Sequence, residues 1–379
     1  MSLTSTFFLA VVVLVTIAAF VLLVVKWPAL TGREPRKIAA RAGMLLVVNG
    51  LVVLTAATQL NARFLFFADW TDLKGALTGS VTQTSLNRGG AAAEAAGRSV
   101  RGPAATAGRS LPALPLSRVS AAGVASFQVK GSASGIVGTV VVQLPPGYTN
   151  PANASVRYPV LETFSGYPGS PYQWVETMGL GSVMAQEVAA GHMRPALVVS
   201  PQIEVPPGVD TECVNGMPGN PQLETWLTRD VPSWITHTFR VRTDRASWAT
   251  VGLSAGGWCA AMATMLHPAQ YGAAIVMGGY FRPELSPFYQ PYSHGSPWAT
   301  HYDLVARARR SPPPVAIWLE TSHADATSYR SSAAFLTVAR PPLAVHAVVL
   351  QHAGHRTSLW KALLPESLQW LGANLSGFS

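Results

Sequence analysis

Residues Gly252-Leu253-Ser254-Ala255-Gly256-Gly257 stand between a β-type run, Ser247-Trp248-Ala249-Thr250-Val251, and a helix-type run at 258–267. A serine with glycine two residues to either side fits a sharp strand-to-helix reversal, because glycine leaves room where any Cβ would collide. This constrains the fold more than any other stretch: a strand that feeds straight into a helix belongs to an α/β layer architecture, with the reversal at the carboxyl end of a parallel sheet. The first N–H groups of such a helix point at negative charge developing beside the serine. Ser254 is therefore the candidate nucleophile. The same pattern also occurs in glycine-rich caps of ordinary helices, and the flanking strand and helix favour the nucleophilic reading here.

The rest of residues 121–379 agrees with that architecture. β-type runs are predicted at 138–144, 158–164, 196–200, 249–252, 273–277, 315–320 and 344–350, with helix-type runs at 223–239, 258–267 and 359–375. Such alternation predicts an α/β fold, a mostly parallel sheet with helices on both faces, in one domain of ordinary size. No internal repeat is visible.

The amino-terminal third is different. The chain is 49 % hydrophobic and only 12 % charged, with mean hydropathy +0.24, too apolar for a purely soluble protein. Residues 1–25 carry no charged side chain, and 42–62 form a second uncharged stretch between Arg41 and Arg63. At ~1.5 Å per residue each can cross a ~30 Å hydrocarbon core. Residues 1–72 thus read as a membrane anchor with spans at about 5–25 and 42–62. Asn49, Thr55, Thr58 and Gln59 interrupt the second, for which a buried amphipathic helix is the alternative. A cleaved signal peptide fits the first poorly, since no basic residue precedes its long apolar run.

Lys26, Arg33, Arg36, Lys37 and Arg41, against the single Glu34, place the connecting loop in the cytoplasm and both chain ends outside. Phe64, Phe66, Phe67 and Trp70 suit an aromatic belt at the outer interface. Residues 73–120, rich in Ala, Gly, Ser, Thr and Arg, read as a flexible linker that spans roughly 40 Å. The net charge of +9 is partly this linker and partly the basic loop. It argues poorly for nucleic acid, and no nucleic-acid motif is present.

A serine nucleophile needs a base and an acid to orient it, which in this architecture follow it in that fold's chain order of acid, then histidine. Seven histidines follow Ser254. His355 lies in a glycine-containing loop after the strand ending near Leu350 and is preferred; His352 is the alternative, and His267 belongs to the helix after the serine. The acid is Asp325, in the loop Thr321-Ser322-His323-Ala324-Asp325, or Glu320, still on the preceding strand. Two backbone N–H groups, of Ala255 and of Tyr167 in the turn Ser165-Gly166-Tyr167, are the candidate oxyanion donors.

Gly252-Leu253-Ser254 with His267-Pro268 and Tyr271 downstream, and His355 followed five residues later by Trp360, resemble the secreted mycolyltransferase and fibronectin-binding antigen proteins within the esterase-D-like serine hydrolases. The resemblance runs from about residue 138 to 375. It implies an α/β-hydrolase fold, Ser254 as nucleophile, His355 as base, Tyr167 and Ala255 as main-chain donors, and an actinobacterial cell envelope as the setting. Ser165 stands where those enzymes have an aspartate expected to help hold a sugar acceptor, and the membrane helices and linker are additions to their pattern.

Cys213 and Cys259 are the only cysteines, and outside the membrane they can pair, with two buried thiols as the alternative. No metal site is expected from two lone cysteines, and no cofactor is implied. The expectation is an integral membrane protein with an extracytoplasmic serine esterase or acyltransferase domain acting on an ester, acyl-lipid or acyl-sugar substrate. The alternative is a non-catalytic envelope-binding module on the same scaffold. Trp174, Trp226, Trp258 and Trp298 are candidates for an acyl or sugar groove, although core packing suits most of them better.

Overall fold

The computed structural model describes residues 2–98 and 119–379, and the chain divides into two compact units. One comprises Met1–Thr82 with Gln351–Arg356, the other Gln83–Leu350 with Thr357–Ser379.

The first unit opens with α1 (Thr6–Lys26), whose Ser5 cap accepts from Phe8 N, and α2 (Pro35–Phe64). Both are long and apolar enough to cross a membrane. The Thr16 and Thr55 hydroxyls, 2.9 Å apart, join them. α2 starts seven residues before the expected span at 42–62, because Pro35 has the fixed φ of a first helical turn. Arg36, Lys37 and Arg41 therefore lie on the helix and not in a loop. Leu65 ends α2 in the left-handed region at φ 54°, and Asp69 caps the short α3 (Trp70–Thr78) by accepting from Asp72 N.

The second unit holds a sheet of strands β1 (Gln83–Gly89), β2 (Val124–Lys130), β3 (Val137–Gln143), β4 (Val160–Phe164), β5 (Leu197–Pro201), β6 (Trp248–Leu253), β7 (Ala273–Met277), β8 (Ala316–Ser322) and β9 (Ala344–Leu350). Its helices are α4 (Ala92–Gly97), α5 (Leu180–Ala189), α6 (Leu223–Thr225), α7 (Val231–Thr238), α8 (Ala255–Leu266), α9 (Pro297–His301), α10 (Leu304–Arg310), α11 (Ala326–Val338) and α12 (Thr357–Asn374). Among the described residues the strand order is β1-β9-β8-β7-β6-β4-β5-β3-β2. The six from β9 to β5 run parallel, while β3, β2 and β1 join antiparallel. β4, β6 and β7 are buried at every residue, as strands covered on both faces must be.

Part of the stretch expected to be a linker, 73–120, is structured. β1 pairs with β9 from Gln83↔Leu350 to Gly89↔Ala344. α4 buries Ala95 and Ala96, and Arg245 donates to the carbonyls of Ala96 and Arg98. Main-chain bonds to an open sheet edge do not require apolar side chains, and β1 is exposed at all residues but Leu86, so composition gave no sign of it. The second unit accordingly begins at Gln83 rather than at 121. The remainder of the expected linker, 99–118, lies outside the described residues.

Trp174, Trp226 and Trp258 are fully buried in the core, whereas Trp298 is partly buried and stacks on Tyr302. Cys213 and Cys259 form a disulfide.

Candidate active site

Ser254 lies between β6 and α8 with φ 56° and ψ −125°, a conformation that L residues seldom adopt and that surrounding structure must enforce. The enforcement is visible. Ser254 N donates to Met277 O at 2.8 Å, and Ser254 O accepts from Gly257 N at 2.8 Å. A Cβ on Gly252 would meet Gly256 O at 1.8 Å, and one on Gly256 would meet Phe164 O at 2.2 Å and Ser165 O at 2.3 Å. The two glycines let the β6–α8 turn and the end of β4 close on one another.

The loop after β4 comes to the serine for the same reason. A Cβ on Gly166 would touch Ser254 Cβ at 3.4 Å, and Gln173 Oε1 holds Gly166 N at 2.9 Å. Tyr167 and Ala255 line one narrow crevice together with Asp210, Glu212 and the bridged Cys213 and Cys259. The structure thus brings together Ser254, Ala255, Tyr167 and the disulfide.

Asp325 ends the loop after β8 at the start of α11 and is nearly buried. Glu320 is buried within β8, and its Oε2 accepts from Trp360 Nε1 at 3.1 Å. His323 N donates to Leu350 O at 2.9 Å, so the loop carrying Asp325 is joined to the end of β9, after which His355 follows by five residues. The candidate serine, acid and histidine all emerge from carboxyl ends of parallel strands.

The other histidines considered have different partners. His352 Nδ1 pairs with Asp69 Oδ2 at 2.8 Å. His267 Nε2 lies 2.8 Å from Glu224 Oε1. Burial opposes ionisation of Glu224, yet hydrogen bonds with His267, His301 and Tyr302 hold its carboxyl below the usual range.

Sequence reasoning missed the acidic wall beside the elbow. Burial, then the charge of Asp210, pushes the Glu212 carboxyl well up, and burial raises Asp210. Tyr280 OH donates to Glu212 Oε1 at 2.5 Å, and Trp258 Nε1 to Glu212 O at 2.7 Å. Glu212 and Cys213 are both left-handed, at φ 49° and 53°. Only the cysteine had marked this segment in the sequence.

A mixed, mainly parallel sheet with a strained serine at the strand-to-helix reversal defines the α/β-hydrolase fold. Solved structures agree. A ferulic acid esterase superposes with TM-score 0.56 at 20 % identity, over 67 % of this chain and 98 % of that one. An S-formylglutathione hydrolase from Agrobacterium tumefaciens gives 0.57 at 15 %, over 68 % and 98 %. The fluorophosphonate-binding serine hydrolase F of Staphylococcus aureus gives 0.50 at 13 %, over 65 % and 97 %. At these identities the likeness establishes the fold alone.

Residues 135–371 match the Esterase family, described as "Putative esterase", and the chain belongs to it. An uncharacterized protein of Corynebacterium glutamicum is 32 % identical over 150 residues, 38 % of this chain and 32 % of that protein. The chain spans about a third of that relative's length.

Proposed function

We propose that this protein is a membrane-anchored, extracytoplasmic serine esterase or acyltransferase, mycolyltransferase-like in its chemistry, with Ser254, His355 and Asp325 as its triad. The observation that carries the reading is the enforced, rarely populated backbone conformation of Ser254 at the strand-to-helix turn. His355 takes the proton of Ser254 Oγ as the oxygen attacks an ester carbonyl. The N–H groups of Tyr167 and Ala255 receive the oxyanion, where losing one such donor costs about 3 kcal/mol of barrier. The tetrahedral species collapses, the leaving alcohol takes the proton from His355, and an acyl-enzyme remains on Ser254. Water or an acceptor alcohol resolves it by the same proton path in reverse.

Asp325 orients the imidazole, supported by its place on the loop joined to the end of β9, with Glu320 on β8 as the alternative acid. The apolar helices α1 and α2 support anchoring in a bilayer, and the disulfide supports an oxidising compartment for the second unit.

The test uses the full-length protein in detergent micelles. A fluorophosphonate probe labels the wild type at Ser254, and Ser254→Ala loses the adduct together with at least about 1,000-fold in kcat on p-nitrophenyl esters. Undiminished turnover by Ser254→Ala overturns the proposal. Adding sugar alcohols to esters of graded chain length separates hydrolysis from transfer by the product formed.

A further inference from the structure

The loop that carries His355 belongs to the same compact unit as the residues directly after α2, and is bonded to them on both sides of the histidine. His355 N donates to Leu65 O at 2.7 Å and Gly354 N to Asp72 Oδ2 at 2.8 Å. Arg356 Nη1 reaches Phe66 O at 3.1 Å and the Asp72 carboxylate at 2.7 Å, with its guanidinium over the Phe67 ring. The Asp72 and Arg356 side chains are only 3 % and 8 % exposed, so this is a buried ion pair that neither partner can leave alone. Asp72 also accepts from Ala68 N, which ties its carboxylate to the stretch it must hold.

Two backbone features accompany this approach. Leu65 takes the left-handed φ of 54°, rare for a side-chain-bearing residue, where its carbonyl accepts from His355 N. Gly354 leaves no space: a Cβ there would lie 2.4 Å from Leu65 O and 2.5 Å from Phe66 O.

A general base works only when its ring nitrogen is held to a fraction of an ångström, and a loop histidine has no helix or strand to hold it. We infer that residues 65–72 are the positioning element for the His355 base, with Asp72 at its centre. Turnover therefore depends on the polypeptide leaving the second apolar helix, and not on the esterase unit alone. This rests on the reading of His355 as the base. Asp72 acts through the loop and touches no substrate, so it is a positioning residue.

The experiment is a double-mutant cycle on the full chain in micelles, with p-nitrophenyl butyrate as substrate and Tm and circular dichroism as folding controls. Asp72→Ala is expected to lower kcat on the order of 100-fold, the cost of about 1 Å of misplacement, with KM within about twofold. In the His355→Ala background the same change should alter the residual rate by less than about twofold, since the group it positions is gone. A purely structural role would lower both backgrounds by one factor. Asp72→Asn, nearly isosteric, gives the same reading should the alanine variant not fold.

Asp72 variants that stay folded with wild-type kcat overturn the inference, as do equal losses in both backgrounds. If His355→Ala itself turns over at the wild-type rate, the assignment of the base fails and this inference with it. A dead His355→Ala beside fully active Asp72 variants removes the positioning role only.

Discussion

Glu162 sits in the middle of β4 with no solvent contact and donates nothing to the proposed chemistry, yet it makes stability depend on pH. Burial pushes its carboxyl up from an ordinary 4.5 to about 8, against the hydrogen bond from Tyr271 OH at 2.7 Å. Between those values the unfolded chain has lost this proton and the folded chain keeps it, so stability falls as pH rises through the window, by an order of a few kcal/mol in all. Glu162→Gln keeps an acceptor for Tyr271 and does not ionise. Its Tm should fall less between pH 5 and 8 than that of the wild type; parallel curves would contradict this.

At the elbow, Gly256→Ala forces a Cβ against the Phe164 and Ser165 carbonyls. A loss of about 1–3 kcal/mol in denaturant unfolding, together with slower fluorophosphonate labelling, is expected. Ser254 was legible in the sequence because glycine spacing records a local steric demand. Asp72 was not: it meets Gly354 and Arg356 from more than 280 residues away, and no short window of sequence holds such a contact.

Among the elements, α8 is the one that the proposed site needs held still, since it begins at Ala255, the proposed oxyanion donor. The disulfide fixes it at Cys259, and Trp258 adds a bond to Glu212 O. Closing 46 residues is worth about 4 kcal/mol in the chain-entropy model. Cys213→Ser with Cys259→Ser should therefore lower Tm by roughly 10 °C and slow labelling of Ser254. An unchanged Tm would mean that packing alone holds the helix. Buried parallel strands such as β6 and β7 were readable as short apolar runs. β1 and β2 were not, because edge strands with one or both faces in water carry little apolar signal. An Ala, Gly, Ser and Thr composition therefore carries no mark of β1, whose order comes from main-chain pairing with β9.

For the whole molecule, length and apolarity made α1 and α2 plain at the outset. No composition could show that residues 351–356 group with them rather than with β9 and α12, which flank them in sequence. If both helices lie in a bilayer, alkaline carbonate should leave the full chain in the membrane pellet and release a chain lacking residues 1–64. Recovery of the full chain in the supernatant would refute anchoring. The pairing of β1 with β9 bears on how such an enzyme could be shed. β1 lies on the amino-terminal side of 99–118, yet its seven residues are zipped to the last strand of the sheet. Severing the backbone with an engineered protease site at 108 should leave the larger fragment sedimenting with membranes, moored by hydrogen bonds after its covalent tie is gone. On the anchored reading, a proteolytic event that frees the sheet has to fall upstream of Gln83.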